Sequence, residues 1–323
     1  MPEFALIERL RRRVLGRGDV PLGIGDDAAL LQPVPGEQLA ITADTLNAGV
    51  HFPVETAPAD IGWKTLAVNL SDLAAMGATP RWCTLSLSLP QDDDAWLDAF
   101  ADGFFALADL HEIALVGGDT TRGPLSLSVT AIGSVPAGAA LRRDGARVGD
   151  EVWITGAPGE AAAALSLWRS GALDVTRPAA GEAHEILRQR LLRPTPRLAA
   201  GQRLRGLAAA CVDVSDGLLA DLGHVCARSG VGARLELERL PPSAALRATG
   251  DARVREWQLG GGDDYELCFT AARVDHDAVR AALEFAGVEG AMIGRIVAGD
   301  GIQVIDEEGC TWLPNRTGYQ HFG

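Results

Sequence analysis

Short apolar runs that end on aspartate, most with glycine beside it, recur along this chain and limit its folds more than any other feature. They stand at GIGDDAAL (23–30), QLAITADT (38–45), IALVGGDT (113–120), ACVDVSDG (210–217) and GGGDDYEL (260–267). Between them the apolar spacing turns helical. Residues 59–76 read as a helix ended by Gly77, with Pro80 beyond it, and residues 92–110 keep helical spacing through Trp96, Phe100, Phe104 and Leu107. TLSLSLP (84–90) alternates leucine and serine as a half-buried strand does, and residues 125–135 read as another strand. Strands separated by helices predict a mixed α/β (α+β) chain. QLAITADT is expected to end at Asp44, and IALVGGDT to run into a glycine turn.

The stretch 136–150 is rich in Gly, Ala and charge and marks a boundary, which we set between 1–148 and 149–323. EVWITG opens the second α/β part with a strand. Helices are expected at 159–170 and 180–193, and strands at 233–239, around 265–270 and at 302–306. The N-terminus reads as an amphipathic helix with Phe4, Leu6, Ile7, Leu10, Val14 and Leu15 on its apolar face.

A length of 323 residues accommodates two domains, and a net charge of −14 argues against nucleic acid or anionic membrane as partners. The five cysteines form no CxxC pair, so free thiols in a reducing cytosol are expected. No apolar run approaches the ~18 residues of a membrane span, and the N-terminus lacks a signal-peptide core. The expectation is a cytoplasmic protein.

One aspartate after a strand is ordinarily a turn residue or a helix cap. Their recurrence beside glycine suits close backbone approach to a ligand. Asp72 differs: it lies on the helix 59–76, on the same face as Asn69. If several of these acids converge, two charges ~5 Å apart at an effective dielectric of ~20 repel by roughly 3 kcal/mol. Divalent cations remove that conflict, and all-oxygen ligands select Mg²⁺ over zinc. These residues therefore point to a multi-magnesium site for a nucleotide.

The rival motifs are missing. The only lysine, Lys64, stands in GWKT, so there is no Walker loop, and HEIAL lacks the second histidine of a zincin. Pro21 precedes GIGDDA and an extended AALLQP follows it, against a Rossmann turn. The remaining polar residues have plain readings too: His51 as a strand end, Arg142 and Arg143 as solvated charges, Ser215 as a helix cap, Tyr319 as packing. Arginine also suits a phosphate chain, and the helix after DVSDG would favour an anion at its N-terminus.

Taken together, GIGDDAAL, ITADTLNAGVHF, GWKTLAVNLSDLAAMGATP, VGGDTTRG, LRRDGARVGD, DVSDGLLADL, GGGDDYEL and the closing GYQHF run nearly end to end. With them the chain resembles the thiamine-monophosphate kinases, in the superfamily of aminoimidazole-ribonucleotide synthetase and selenophosphate synthetase. The resemblance implies ATP-dependent phosphorylation of thiamine monophosphate to thiamine diphosphate, by direct transfer assisted by several Mg²⁺ ions. It implies metal ligands at Asp26, Asp27, Thr42, Asp44, Asp72, Asp119, Asp213 and Asp216, with Asp44, Asp72, Asp119 and Asp213 the catalytic set. It implies ATP contacts at Gly118, Asp119, Arg143 and Ser215, and substrate contacts at His51, Asp263 and Tyr319. It also implies a homodimer whose N-terminal sheets pair into a barrel, residues 1–148 being the ATP/Mg-binding and dimerisation domain, with the active site in the cleft between domains. Asp263 departs from the family's glutamate, and Ala43 stands where serine or threonine is expected. The alternatives are a ring-closing synthetase of the same superfamily and a non-catalytic Mg-nucleotide binding protein.

Overall fold

Four strands order the first half of the chain: β1 (Glu37–Asn47), β2 (Thr79–Leu89), β3 (Ala114–Arg122) and β4 (Ser126–Pro136). They form one sheet in the order β1-β4-β2-β3, antiparallel except for the parallel β2/β3 pair. A parallel pair needs a crossover, supplied here by the helix α3 (Asp94–Leu110). The helix α2 (Pro58–Ala75) joins β1 to β2, and α1 (Glu3–Arg11) precedes them. The computed structural model describes residues 3–14, 16–240, 242–315 and 317–320. The side chain of Phe4, and Leu15, His321 and Phe322, all singled out in the sequence, lie outside the described residues. The contacts divide the chain into two units, Met1–Leu73 with Ala78–Gly138, and Ala74–Gly77 with Ala139–Gly323.

In the first unit, alternation along the strands sorts the two sheet faces. Leu85, Leu87, Leu127, Val129 and Ala131 are buried, as are Leu66, Leu70 and Leu73 of α2 and Leu97, Phe100 and Phe104 of α3. Each fully buried side chain of this size contributes about 1.5–3 kcal/mol. Asp93 caps α3, its carboxylate accepting the Trp96 N–H at 2.9 Å. The two helices touch backbone to backbone: a Cβ on Gly103 would lie 1.7 Å from the Ala59 carbonyl oxygen, and one on Gly62 2.0 Å from that of Phe100. The other sheet face presents Leu39, Ile41, Thr45 and Ser86, and Ile41 is 65% exposed.

Seven strands form the second sheet: β5 (Glu151–Thr155), β6 (Ala208–Asp213), β7 (Gly232–Glu236), β8 (Leu267–Ala271), β9 (Gly290–Val297), β10 (Ile302–Ile305) and β11 (Thr311–Trp312). Their order is β11-β10-β7-β9-β5-β8-β6, with only β10/β7 parallel. β5 and β8 are buried at every residue, as expected of central strands. The helices are α4 (Glu160–Arg169), α5 (Glu182–Leu192), α6 (Leu198–Arg203), α7 (Leu218–Ser229), α8 (Ala244–Ala248), α9 (Val254–Gly260) and α10 (His276–Phe285). α7 packs with the sheet through Leu218, Leu222 and Val225, while α4, α5, α8 and α9 share a second core around Leu187, Leu246 and Trp257.

Three expectations need correcting. β1 does not stop at Asp44 but runs on to Asn47, because its ladder with β4 continues to the Asn47–Ser126 pair. VGGDT is no turn: β3 passes through it to Arg122, held by β2. α1 ends at Arg11, short of Val14. Among the described residues, no helix is long and apolar enough to cross a membrane, and all five cysteines are free thiols.

Candidate active site

In the first unit the site is built where β1 lies against α2. Thr42, Asp44 and Leu46 share one face of β1 by strand alternation. The Thr42 hydroxyl donates to Asp72 Oδ2 on α2, and the Asp44 N–H donates to Asn69 Oδ1 at 3.1 Å. Asn69, wholly buried, returns its amide to the Thr65 carbonyl at 3.1 Å, so its orientation is fixed. Burial, then the charge and hydrogen bond of Asp72, push the Asp44 carboxyl up to about 6. Two acids and a hydroxyl thus crowd one spot as hard oxygen donors.

Asp119 stands differently. The register aligns Asp44 with Val129, Val129 with Leu85 and Leu85 with Gly118, so Asp119 is one residue out of phase, beside Ser86. It is exposed on the helix-free face. Gly118 itself must be glycine, since a Cβ there would meet the Leu85 carbonyl oxygen at 1.9 Å. GIGDDAAL folds back on itself, the Leu30 N–H donating to the Leu22 carbonyl at 2.8 Å, and no helix follows it. Asp26 accepts the Asp27 N–H at 2.8 Å, and both acids are exposed. His51 Nδ1 accepts the Asn47 N–H at 2.9 Å, which puts the neutral ring's proton on Nε2.

In the second unit the site gathers at the turn from β6 into α7. Asp213 ends β6 and is 3% exposed. The next backbone groups are fully engaged. Asp221 Oδ2, one turn into α7, accepts the N–H groups of Ser215, Asp216 and Gly217 at 3.1, 3.0 and 3.1 Å. The carbonyls of Val214, Ser215 and Asp216 accept the N–H groups of Tyr265, Asp263 and Tyr319 at 2.8, 2.8 and 3.0 Å. The α7 N-terminus is therefore filled by Asp221, and the expectation that it would hold an anion does not stand for these three N–H groups. Burial pushes the Asp221 carboxyl up to about 6, with the Gly217 N–H pulling the other way.

GGGDDYEL holds the other side of this turn. Asp263 and Tyr265 both adopt left-handed backbone, at φ 68° and 53°, and the Tyr265 hydroxyl donates to Asp263 Oδ1 at 3.0 Å. Asp264 points inward instead, accepting the Gly159 N–H at 2.7 Å before α4. Glu266, wholly buried, accepts from Arg190, from Arg197 Nε at 2.6 Å and from the Thr155 hydroxyl at 2.6 Å. Arg142 is tied to Asp144 at 2.8 and 2.6 Å, while its neighbour Arg143 is exposed.

Among the described residues, no three carboxylate, histidine or cysteine side chains converge tightly enough to hold a metal by themselves. Asp221, Tyr265 and Glu266 are not among the residues the sequence motifs single out. Asp221 carried a signal, an acid four residues after the glycine that opens a helix. Glu266 carried none, because its arginines come from α5 and the segment before α6.

Residues 25–135 match the family AIR synthase related protein, N-terminal domain, and residues 147–307 its C-terminal domain. The thiamine-monophosphate kinase of Salmonella typhimurium is 47% identical over 323 residues, 99% of this chain and 98% of that protein. The chain belongs to the thiamine-monophosphate kinase family. Within that family, the crystal structure of the kinase from Stenotrophomonas maltophilia K279a is 61% identical, with a TM-score of 0.89 over 94% of this chain and 96% of that one. AaThiL complexed with AMPPCP and TMP is 32% identical, with a TM-score of 0.79 over 99% of this chain and 97% of that one. The mixed α/β architecture in two parts is thus the fold of thiamine-monophosphate kinases.

Proposed function

We infer that this protein transfers a phosphoryl group from ATP to thiamine monophosphate, giving thiamine diphosphate and ADP. The observation that carries the reading is full-length likeness to thiamine-monophosphate kinases, including one solved with an ATP analogue and TMP. Phosphoryl transfer asks the protein mainly for alignment and charge neutralisation. The acceptor, a phosphate monoester, is largely ionised near neutral pH and needs no strong base. Aspartates, a hydroxyl and an imidazole match that chemistry.

In this reading Gly118, Asp119, Arg143 and Ser215 contact ATP, and His51, Asp263 and Tyr319 contact thiamine monophosphate. His51 would offer Nε2–H as a donor, Arg143 a planar fork for phosphate oxygens. Of the adjacent pair the substrate contact is assigned to Asp263, Asp264 being committed to the residues opening α4. The Thr42, Asp44 and Asp72 oxygens fit Mg²⁺ in hardness, and a cation would offset the burial and the Asp72 repulsion that push Asp44 up to about 6. Asp26, Asp27, Asp119, Asp213 and Asp216 complete the proposed ligand set. Bound Mg²⁺ would neutralise the triphosphate and the developing transition-state charge.

The helix-free face of the first sheet, with Leu39 and Ile41 exposed, supports a homodimer that closes this face into a barrel. We assign nucleotide and metal binding with dimerisation to residues 1–148, and place the enzyme in the cytoplasm, where ATP is available. Incubation with Mg·ATP and thiamine monophosphate tests the activity. The expected products are thiamine diphosphate and ADP without free phosphate. Phosphate release with no thiamine diphosphate would overturn the reading.

A further inference from the structure

The turn Val214–Gly217 has both edges of its backbone spoken for, and by different partners. The N–H groups of Ser215, Asp216 and Gly217 all meet one oxygen, Asp221 Oδ2. The carbonyls of Val214, Ser215 and Asp216 accept the N–H groups of Tyr265, Asp263 and Tyr319. On the reading above, Ser215 and Asp216 serve the nucleotide and its metal, whereas Asp263 and Tyr319 serve thiamine monophosphate. The two sets of contacts are therefore hung on the same three peptide groups.

We propose that Asp221 is a positioning residue that sets the register between the nucleotide contacts and the thiamine-phosphate contacts by fixing the 215–217 peptides; this rests on the kinase reading. Three N–H groups pulled to one side of the turn leave the carbonyls aimed at the other side. A peptide plane is rigid, so an N–H held at one end orients the C=O at the other. Rotation of the 215–216 or 216–217 peptide would release the Asp263 or Tyr319 N–H respectively. Asp221 is 3% exposed, so no water can readily take its place. The packing leaves little room for another arrangement: a Cβ on Gly262 would lie 2.4 Å from the Ser215 carbonyl oxygen, and one on Gly318 2.5 Å from Ala220 Cβ. Asp221 itself touches neither substrate in this assignment.

The test is steady-state kinetics on the full chain with Asp221→Ala and Asp221→Asn. The alanine loses the acceptor, whereas asparagine keeps the shape and a neutral acceptor oxygen. For Asp221→Ala we expect KM for Mg·ATP and KM for thiamine monophosphate to rise together, each about tenfold, with kcat falling less. Asp221→Asn should recover most of this, leaving both KM values about two- to threefold above wild type. A merely structural role would lower the folded fraction and kcat while leaving both KM values in place, and that result would overturn the proposal. So would a rise in only one KM, since the coupling is the claim. If the alanine variant does not fold, Asp221→Asn decides alone: paired rises of about twofold or more in both KM values support the proposal, and unchanged values overturn it. A wild-type chain that phosphorylates no thiamine monophosphate would count against the kinase reading and not against Asp221. In that case calorimetric titration with Mg·AMPPCP carries the test, weaker binding to the alanine variant supporting the positioning role and equal binding overturning it.

Discussion

The Thr42 hydroxyl donates a hydrogen bond to the Asp72 carboxylate, pinning the inner face of β1 to α2 at the point where Asp44 brings in a second acid. Burial, then the charge and hydrogen bond of Asp72, push the Asp44 carboxyl up to about 6, so the pair resists carrying two charges. Neutralising either acid should therefore spare the fold and harm the chemistry. Asp44→Asn and Asp72→Asn are each expected to cut kcat at least ~100-fold, with a melting temperature equal to or above wild type. Near-normal turnover of both variants at limiting Mg²⁺ would remove these residues from the site.

Tyr265 offers a more selective test. Its hydroxyl donates to Asp263 Oδ1 at 3.0 Å, and the residue is 7% exposed. Tyr265→Phe keeps the packing and removes this hydrogen bond, so KM for thiamine monophosphate should rise about three- to tenfold. KM for ATP should stay put, which separates this variant from those at Asp221. Equal changes in both constants would mean that Asp263 does not contact the thiamine phosphate separately from the turn.

The open face of the first sheet makes a third prediction. Ile41 is 65% and Leu39 45% exposed on a strand whose other face is packed against helices. Light scattering should give twice the mass of one chain. Ile41→Asp should shift that mass towards a single chain, because it places a charge on the apolar patch. A monomeric wild type would refute the proposed barrel.

Local pattern carried much of the fold. Helical spacing placed α2 at 59–76 against the observed 58–75, and α3 at 92–110 against 94–110. Both are long, amphipathic and bounded by turn residues. The strand ends were less legible, because a ladder stops where its partner stops. Asp44 reads as the end of a strand and Asp119 as part of a glycine turn, and both instead lie within β1 and β3. β9 (GAMIGRIV) escaped notice because glycine and arginine interrupt its apolar pattern; Gly294 is required there by the Arg234 carbonyl, 2.2 Å from where a Cβ would sit. In the candidate site, motif resemblance offers residues but not their neighbours. The engagement of Asp221 with three N–H groups and of Glu266 with two arginines depends on tertiary placement.

Glu266 gives the pH prediction. Burial alone would push its carboxyl up, but Arg197 and Arg190 outweigh burial and hold it at about 2. Glu266→Gln leaves two arginines without their shared anion and should cost about 3–5 kcal/mol at neutral pH. A depressed folded-state value contributes stability above the unfolded carboxyl value, lost as pH falls towards 2. The gap between wild type and variant in urea midpoint should hold from pH 8 to 5 and narrow below ~4.5. A gap that stays constant down to pH 3 would mean that the arginines do not set the ionisation of this acid.

Two glycines in helices should respond to alanine with opposite signs. Gly103 sits where α3 crosses α2, and a Cβ there would lie 1.7 Å from the Ala59 carbonyl oxygen, a backbone atom that cannot swing aside. Gly103→Ala must push the helices apart and loosen the stacked Phe100 and Phe104, whose ring centroids are 6.1 Å apart. A loss of about 3 kcal/mol is expected. Gly223, inside α7, has nothing within 4 Å of where its Cβ would be. Gly223→Ala should add about 0.5–1 kcal/mol by restricting the unfolded chain. Urea denaturation of both variants checks the pair. A stabilised Gly103→Ala would show that α2 and α3 do not approach as closely as the backbone here requires.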